Sequence, residues 1–390
     1  MKYDMFGLVK IFERIPDKRQ AGKIKHLLCD ILFIAIIATV ASCEDYEEIA
    51  EYAQEYEAWF RKYLLLPNGI PSHDTFERVF SWINPKIVTS CFSDWTALIS
   101  KPVIFEAGDG DEFPGIVSID GKTMRATKDE VRDKKGLHVV SAWFNKNKMV
   151  LGQVSTSEKS NEITAIPELL KMLDITGNVV TIDAMGTQTK IVDEIVAKKA
   201  DYVLAVKKNH ESLHTPIKEF FDDLDENLAK EYGISHFSEL DKGHGRIEHR
   251  DYYITDKIKW FEPNNKWTKL RSIGMAVNTT EKNGKQTIET RYFISSLSAD
   301  AKLFGNAVRC HWGVESMHWT LDVTFNEDRR RNRVENSAMN LASLLRLANN
   351  IITLMDNPRK RPKRILRKKC FRHIELVDEI ITKALEARKL

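Results

Sequence analysis

The sequence lacks the features that mark secreted, disulfide-rich or membrane-spanning proteins. Its few cysteines form no CxxC pair and no zinc-ligand spacing, and an odd number of scattered cysteines favours reduced thiols. The one long apolar run, residues 31–41, is shorter than the roughly 20 residues that a membrane span needs, so it predicts a buried helix. The N-terminal residues contain no apolar core of a signal peptide. We therefore expect a cytoplasmic protein with no membrane contact.

A large net charge of one sign is also missing. The 59 basic and 56 acidic residues leave a formal net charge of +3. The two signs are nevertheless segregated, since residues 43–59 are acidic and residues 359–373 are densely basic. Such asymmetry indicates that one part of the molecule contacts nucleic acid. A basic run can also be a solvated surface, and in a DNA-processing protein we favour contact with the DNA backbone.

The middle of the chain alternates between β-rich runs and amphipathic helices. Three β runs in succession predict an antiparallel meander, and two later runs that return through helices are expected to lie parallel to the first strand. This order resembles the ribonuclease H-like fold, an α/β mixed sheet with helices on both faces. The β runs are residues 115–124, 136–145, 149–157, 178–186 and 201–209, and the helices between them are residues 161–174 and 187–200.

The flanking regions differ in pattern from this middle part. Residues 1–105 predict a helical N-terminal domain, and the Gly, Pro and Asp content of residues 101–115 predicts a linker. Within the domain expected at 106–356, residues from about 212 to 300 predict a β-rich insertion, with Asn283-Gly284 as a hairpin turn. Residues 357–390 predict a basic C-terminal tail and helix.

Two aspartates end apolar runs that the strand order makes neighbours. Asp120 follows GIVSI and Asp183 follows NVVTI. Two carboxylates side by side repel unless a cation lies between them, and Mg²⁺ or Mn²⁺ prefers such hard oxygen ligands. With a third carboxylate, two ions about 4 Å apart activate a water or a 3′-hydroxyl on a phosphodiester. The competing interpretation is that each aspartate merely caps a turn.

The segment RCHWGVESMHWTLDV offers candidates for the third carboxylate. On a helix, its steps of four, three and four place His311, Glu315, His318 and Asp322 on one face. The competing interpretations are a solvated face and a zinc or iron site. An HExxH motif, which a zinc site of that kind uses, is absent from the sequence. Glu315 is therefore the candidate, with Asp322 and Glu327 as rivals.

Seven segments in order resemble the H-repeat-associated insertion-sequence transposases, which are DDE transposases. They are PSHDTFERVF, VSIDGKTMR, NEITAIPELL, VVTIDAMGTQ, DYVLAVKKN, KGHGRIEHR and RCHWGVESMHWTLDVTFNED. The resemblance covers roughly residues 8–356. It implies a catalytic and metal-binding triad of Asp120, Asp183 and Glu315, two Mg²⁺ or Mn²⁺ ions, and an N-terminal domain for DNA binding or dimerisation.

The resemblance also implies an activity and partners. The protein is expected to bind the terminal inverted repeats of its element, cleave their 3′ ends and join them to target DNA. A homodimer or larger assembly on double-stranded DNA, associated with the bacterial nucleoid, is expected. The alternatives are an inactive transposase-derived DNA-binding protein and a metal-dependent nuclease on the same fold.

Basic residues around the expected site are candidates for DNA contact. Related transposases often carry Tyr, Arg and Lys where this sequence has Val308, His311 and Asp322, so the histidines are expected to replace the basic contacts. The remaining alternative for the KGHGRIEHR segment is a polar β-turn. The candidate DNA-binding residues are Lys122, Arg125, Lys207, Lys208, His244, Arg246, His311, His318, Arg329 and Arg330.

Overall fold

The structure is a computed structural model that describes residues 8–99, 113–130, 132–133, 135–156, 162–243, 245–355 and 357–386. Its helices are α1 (Leu8–Phe12), α2 (Leu28–Val40), α3 (Tyr46–Glu55), α4 (Glu57–Phe60), α5 (His73–Trp82), α6 (Pro85–Ile99), α7 (Glu162–Met172), α8 (Thr189–Ala197), α9 (Glu211–Asp222), α10 (Glu226–Glu231), α11 (Ala301–Thr324), α12 (Ser337–Thr353), α13 (Lys363–Arg372) and α14 (Glu375–Glu386). Its strands are β1 (Ile116–Met124), β2 (Leu137–Phe144), β3 (Met149–Thr156), β4 (Val179–Ile182), β5 (Asp201–Val206), β6 (Ser235–Gly243), β7 (Arg246–Thr255), β8 (Ser272–Lys282) and β9 (Lys285–Ser295).

A single mixed sheet organises the middle of the chain. Its strand order is β3-β2-β1-β4-β5-β9-β8-β7-β6. The first three strands form an antiparallel meander, and β4 and β5 lie parallel to β1. The strand order and the two returns through α7 and α8 confirm the α/β, ribonuclease H-like fold that the sequence predicted.

The β-rich insertion extends this same sheet. Strand β9 pairs antiparallel with β5, and β8, β7 and β6 follow it outward. Asn283 and Gly284 form the tight turn between β8 and β9, with φ of 53° and 71°, a conformation that Asn and Gly tolerate. Strand β6 was not predicted, because its residues are almost all exposed or half-buried and give no apolar signal.

Helices cover both faces of the core strands. Val117 and Ile119 on β1 pack with α7, α8 and α9 on one face. On the other face, Ile116 and Val179 pack against α11. Helix α12 lies on the same face as α11, where the Asn350 amide bonds both the N–H and the C=O of Val150 at 2.9 and 2.8 Å.

The N-terminal and C-terminal helices share one hydrophobic core with α12. Helix α2 is buried along its length, which confirms the buried helix predicted from the apolar run. The Tyr52 hydroxyl on α3 donates to the Cys370 carbonyl on α13, so the basic C-terminal segment is docked on the N-terminal helices. The predicted linker falls mostly outside the described residues. Within the described part of the chain, no helix is long and apolar enough to span a membrane.

Candidate active site

Adjacent parallel strands bring the two aspartates to one edge of the sheet. Ile119 on β1 pairs with Ile182 on β4, and Asp120 and Asp183 are the next residue on each strand. One Asp183 oxygen accepts the backbone N–H groups of Met185 and Gly186 at 3.1 and 3.2 Å. Asp183 therefore orders a turn, as the competing interpretation held, and still lies beside Asp120.

Strand alternation points both carboxylates toward α11. Side chains two apart on a strand share a face. Ser118 donates to the Cys310 carbonyl of α11, and Thr181 bonds the His311 ring at 2.9 Å. Asp120 and Asp183, each two residues further on, therefore emerge on the face that α11 covers.

The predicted row on α11 crosses these two strands. His311 contacts β4, and the His318 Nδ1 atom lies 3.5 Å from an Asp120 oxygen. Asp322, one turn further, contacts Lys122 on β1 at 2.6 Å. Glu315 lies between the two histidines, is exposed, and has no hydrogen bond or ion pair with any described residue. Its carboxylate is therefore available to a ligand.

The environment of Asp120 resists ionisation. Burial, followed by the nearby charges of Asp183, Glu162 and Glu315, raises the pKa of Asp120 from 3.8 to about 7. A bound cation would favour the ionised form of this buried carboxyl group and offset the repulsion from its acidic neighbours. The repulsion expected from the sequence is thus present, and Glu315 takes part in it.

The two histidines on α11 are buried against the sheet. Burial lowers the pKa of His311 to about 4 and that of His318 to about 3. Both rings are therefore neutral at pH 7, because the sheet and α11 exclude the water that would solvate a charged imidazole. In the structure, His311 bonds the Thr181 hydroxyl and His318 approaches Asp120. Contact of these two rings with DNA stays a prediction.

A buried pair beneath Asp120 escaped the sequence analysis. The Glu162 carboxylate on α7 contacts His138 Nε2 on β2 at 2.6 Å, and His138 Nδ1 bonds the Thr123 hydroxyl at 2.9 Å. A Cβ atom at Gly121 would lie 2.3 Å from both Glu162 Oε1 and His138 Nε2. The pair thus packs directly against the residue after Asp120. Glu162 was visible only as part of the NEITAIPELL segment, which shows no partner.

The rivals of Glu315 belong to a buried ionic cluster. Lys122 lies 2.6 Å from Asp322, 3.1 Å from Glu327 and 2.8 Å from Asp328. Glu327 is fully buried and also pairs with Arg346 at 2.6 Å. Burial alone would lower the pKa of Lys122, but the three carboxylates raise it overall. Lys122 was predicted to face a DNA phosphate, yet its ammonium group is occupied by these acids.

Comparison with known proteins identifies the family. The model of the transposase DDE domain matches residues 111–351, and the model of its associated domain matches residues 9–96. The chain belongs to the DDE transposase family. The resemblance to H-repeat-associated transposases is confirmed by relatives that cover most of the chain.

Two relatives from Escherichia coli illustrate the similarity. The putative transposase YncI of strain O157:H7 is 40% identical over 89% of this chain and 87% of its own length. The H repeat-associated putative transposase YhhI of strain K12 is 36% identical over 89% of this chain and 91% of its own. A solved piggyBac transposase synaptic complex with hairpin DNA overlaps all of this chain and 80% of that one, at 12% identity and a TM-score of 0.39, too slight a likeness to carry an argument.

DDE transposases generally use divalent metal ions, and the acidic residues fit this requirement in chemistry. Asp120, Asp183 and Glu315 offer the oxygen donors that Mg²⁺ and Mn²⁺ prefer. The raised pKa of Asp120 shows that their charges already act on one another. Among the described residues, however, no group of three His, Cys, Asp or Glu side chains is close enough to enclose an ion as it stands. Glu315 and its free carboxylate would have to approach the two aspartates.

Several predicted DNA-binding cations of this family member lie exposed near the site. Lys207 and Lys208 follow β5 at the edge that carries Asp183, and Asn209 ties this end to the Ala184 carbonyl at 2.9 Å. Both lysines are free of ion pairs with the described residues. Arg125 is 85% exposed, with Asp328 3.4 Å away. These residues and the exposed Arg329 remain predicted DNA contacts.

Arg246 lies in a cleft between the insertion and α11. Arg250, Arg291 and Trp312 also line this cleft, and the Arg291 guanidinium lies 5.0 Å above the Trp312 ring. Trp312 precedes Glu315 by one turn of α11, so the cleft adjoins the site.

One further predicted cation, Arg330, does not face the site, and His244 cannot be placed. Arg330 is buried and donates to the carbonyls of Glu44 and Phe325, which differs from the exposed phosphate contact predicted for it. It bridges the N-terminal helices to the end of α11. His244 lies outside the described residues.

Proposed function

We propose that this chain is the transposase of a bacterial insertion sequence, which binds the terminal inverted repeats and catalyses metal-dependent DNA cleavage and strand transfer. The observation that carries the proposal is that Asp120 and Asp183 follow neighbouring parallel strands at one sheet edge, where α11, the helix that bears Glu315, packs on the same face. Burial and, after it, the charges of Asp183, Glu162 and Glu315 raise the pKa of Asp120, as expected of carboxylates that a cation would stabilise. Membership of the DDE transposase family supports the same conclusion.

The carboxylates would hold two Mg²⁺ or Mn²⁺ ions, which supply Lewis-acid stabilisation of the phosphodiester during in-line displacement. The chain itself supplies position and charge. The turn around Asp183 fixes that carboxylate through two backbone N–H groups. His318, neutral and 3.5 Å from Asp120, orients that carboxylate without cancelling its charge. No side chain forms a covalent intermediate in this scheme.

DNA would approach over the edge that carries the site. Lys207 and Lys208, together with Arg125 and Arg329, present cations suited to phosphate contacts that position a duplex without reading its sequence. Arg246 is proposed to act from the cleft beside Trp312. Strand transfer needs two element ends held together, so we infer a homodimer or larger assembly on DNA.

Cleavage of a labelled duplex from the flanks of the gene tests the proposal. Wild type in Mg²⁺ or Mn²⁺ is expected to nick at the repeat boundary. Glu315→Gln is expected to abolish nicking while leaving DNA binding in a gel shift intact, because Glu315 has no structural partner. Glu219→Gln, a matched change at an exposed glutamate of α9, is expected to keep full activity.

The other outcomes separate the alternatives. Binding without cleavage by wild type would indicate an inactive transposase-derived protein. Inactive relatives exist, since the inactive transposase YbfQ of E. coli K12 is 40% identical over 19% of this chain. Cleavage without strand joining would indicate a nuclease. Activity that survives Glu315→Gln would exclude Glu315 as the third ligand and direct the same test to Asp322.

A further inference from the structure

The basic C-terminal segment forms a fixed helix on the protein surface. Arg367 of α13 is buried, donates to the Thr39 carbonyl at 2.8 Å and to the Thr324 carbonyl, and lies 4.0 Å over the Phe325 ring. Thr324 is the last residue of α11. These contacts fasten α13 to the end of the helix that carries Glu315.

The outward side of α13 is a row of cations. Arg364, Lys368 and Arg372 are exposed and lie at steps of four, which places them on one face. None of the three side chains forms an ion pair or hydrogen bond with a described residue, although the Arg372 backbone carbonyl accepts a hydrogen bond from Tyr56 at 3.4 Å. The exposed Glu375 and Glu379 of α14 follow in the chain but do not pair with them. We refer to Arg364, Lys368 and Arg372 as the α13 basic row.

Such a row is unfavourable for the protein alone. Like charges four residues apart on a helix repel one another, and the row contains two such pairs. Among the described residues, no carboxylate forms an ion pair with any of the three side chains. The row extends over about 12 Å at a rise of roughly 1.5 Å per residue, and cations spaced at about 6 Å suit successive phosphates of a DNA strand.

The position of α13 relative to Glu315 defines where this DNA would lie. Nine residues of α11 separate Glu315 from Thr324, a distance of about 14 Å at roughly 1.5 Å per residue. A duplex that advances about 3.4 Å per base pair covers this distance in roughly four base pairs. A duplex engaged at Glu315 and running along α11 therefore reaches α13 at roughly four to eight base pairs from the reacting phosphate.

We propose that the α13 basic row binds the phosphate backbone of duplex DNA that flanks the reacting phosphate. This inference rests on the proposed function, because it assumes that DNA is the substrate at Glu315. The contact is independent of base sequence. It gives the C-terminal helix a part in holding the DNA end, separate from the chemistry of the carboxylates.

The test is the salt dependence of DNA binding, measured by fluorescence anisotropy in EDTA so that no cleavage occurs. The probe is a duplex of the gene's terminal sequence with about twenty base pairs on each side of the boundary. Replacing the row with Arg364→Gln, Lys368→Gln and Arg372→Gln is expected to reduce the slope of log K against log salt by about 2 to 3, since each phosphate contact contributes about 0.9. With a duplex that ends within about four base pairs of the boundary, on the side that contacts α13, wild type and the row variant are expected to show the same slope.

A matched control removes the same charge elsewhere. The control replaces three exposed lysines by Gln: Lys171 on α7, Lys190 on α8 and Lys230 on α10. These helices lie on the far side of the sheet from α11 or beyond it. The control variant is expected to keep the slope within about 0.5 of the wild type. The conservative variant with Arg364→Lys and Arg372→Lys is expected to keep the wild-type slope. If the triple variant does not fold, the single variant Lys368→Gln decides the question, because it is expected to reduce the slope by about 0.9 and an unchanged slope would overturn the inference.

The outcomes separate this inference from the proposed function. If wild type binds no duplex, the proposed function fails and the inference with it. If wild type binds the duplex and the row variant has the wild-type slope, only the inference fails. The same holds if the slope of the row variant falls by no more than that of the control variant. Loss of binding to anionic phospholipid vesicles with unchanged DNA binding would also overturn it, since the row would then serve a membrane surface.

Discussion

The raised pKa of Asp120 makes the stability of the metal-free protein depend on pH. A carboxyl group whose pKa is higher in the folded than in the unfolded state binds its proton more tightly when folded. The free energy of unfolding therefore falls as the pH rises from 3.8 to about 7. At about 1.4 kcal/mol for each pH unit, ionised Asp120 costs the folded protein about 4 kcal/mol above pH 7.

Asp120→Asn removes this cost because the amide cannot ionise. In EDTA, the variant and wild type are expected to have nearly the same free energy of unfolding near pH 4. The excess of the variant over wild type is expected to be about 3 kcal/mol larger at pH 8 than at pH 5. The measurement is urea denaturation of both proteins at several pH values, followed by circular dichroism. Saturating Mg²⁺ is expected to stabilise wild type and not the variant, since an ion that binds only the folded state adds to its stability.

Two further variants sharpen this test. Asp223→Asn, at an exposed carboxylate, is expected to differ from wild type by the same small amount at every pH. Glu162→Gln removes a charge that raises the pKa of Asp120. The stability gap between this variant and its own Asp120→Asn double variant is therefore expected to be smaller than the gap in the wild-type background, and to level off at a lower pH. A stability difference between Asp120→Asn and wild type that stays constant from pH 5 to pH 8 would refute the reasoning.

The packing of the site leads to two more predictions. Gly121→Ala is expected to destabilise the protein by about 1–3 kcal/mol, because its Cβ would lie 2.3 Å from Glu162 and His138. Urea denaturation measures this loss. An unchanged midpoint would show that Glu162 and His138 move aside without cost. Glu327→Gln leaves the fully buried Arg346 without its countercharge and is expected to cost about 3–5 kcal/mol; a loss below about 1 kcal/mol would mean that water reaches the arginine.

Local patterns in the sequence determined the core of the fold and its acidic residues. The apolar runs that end at Asp120 and Asp183 became adjacent parallel strands, because burial on both faces of a sheet selects continuous apolar runs. The Asn283-Gly284 pair formed its hairpin turn, since only such residues adopt the required φ without strain. The steps of four and three on α11 placed His311 and His318 toward the sheet as predicted, because helix periodicity is a local property.

Only the tertiary structure decided the state of the charged groups. Lys122 meets Asp328 across 206 residues, and Glu162 meets His138 from another element, so no local pattern could reveal these pairs. The histidines on α11 were expected to replace basic DNA contacts, and no local pattern shows that burial lowers the pKa of each ring. Arg367, in a run that looks like a flexible basic tail, anchors α13 instead. Charge depends on desolvation and on partners distant in sequence, and these exist only once the chain has folded.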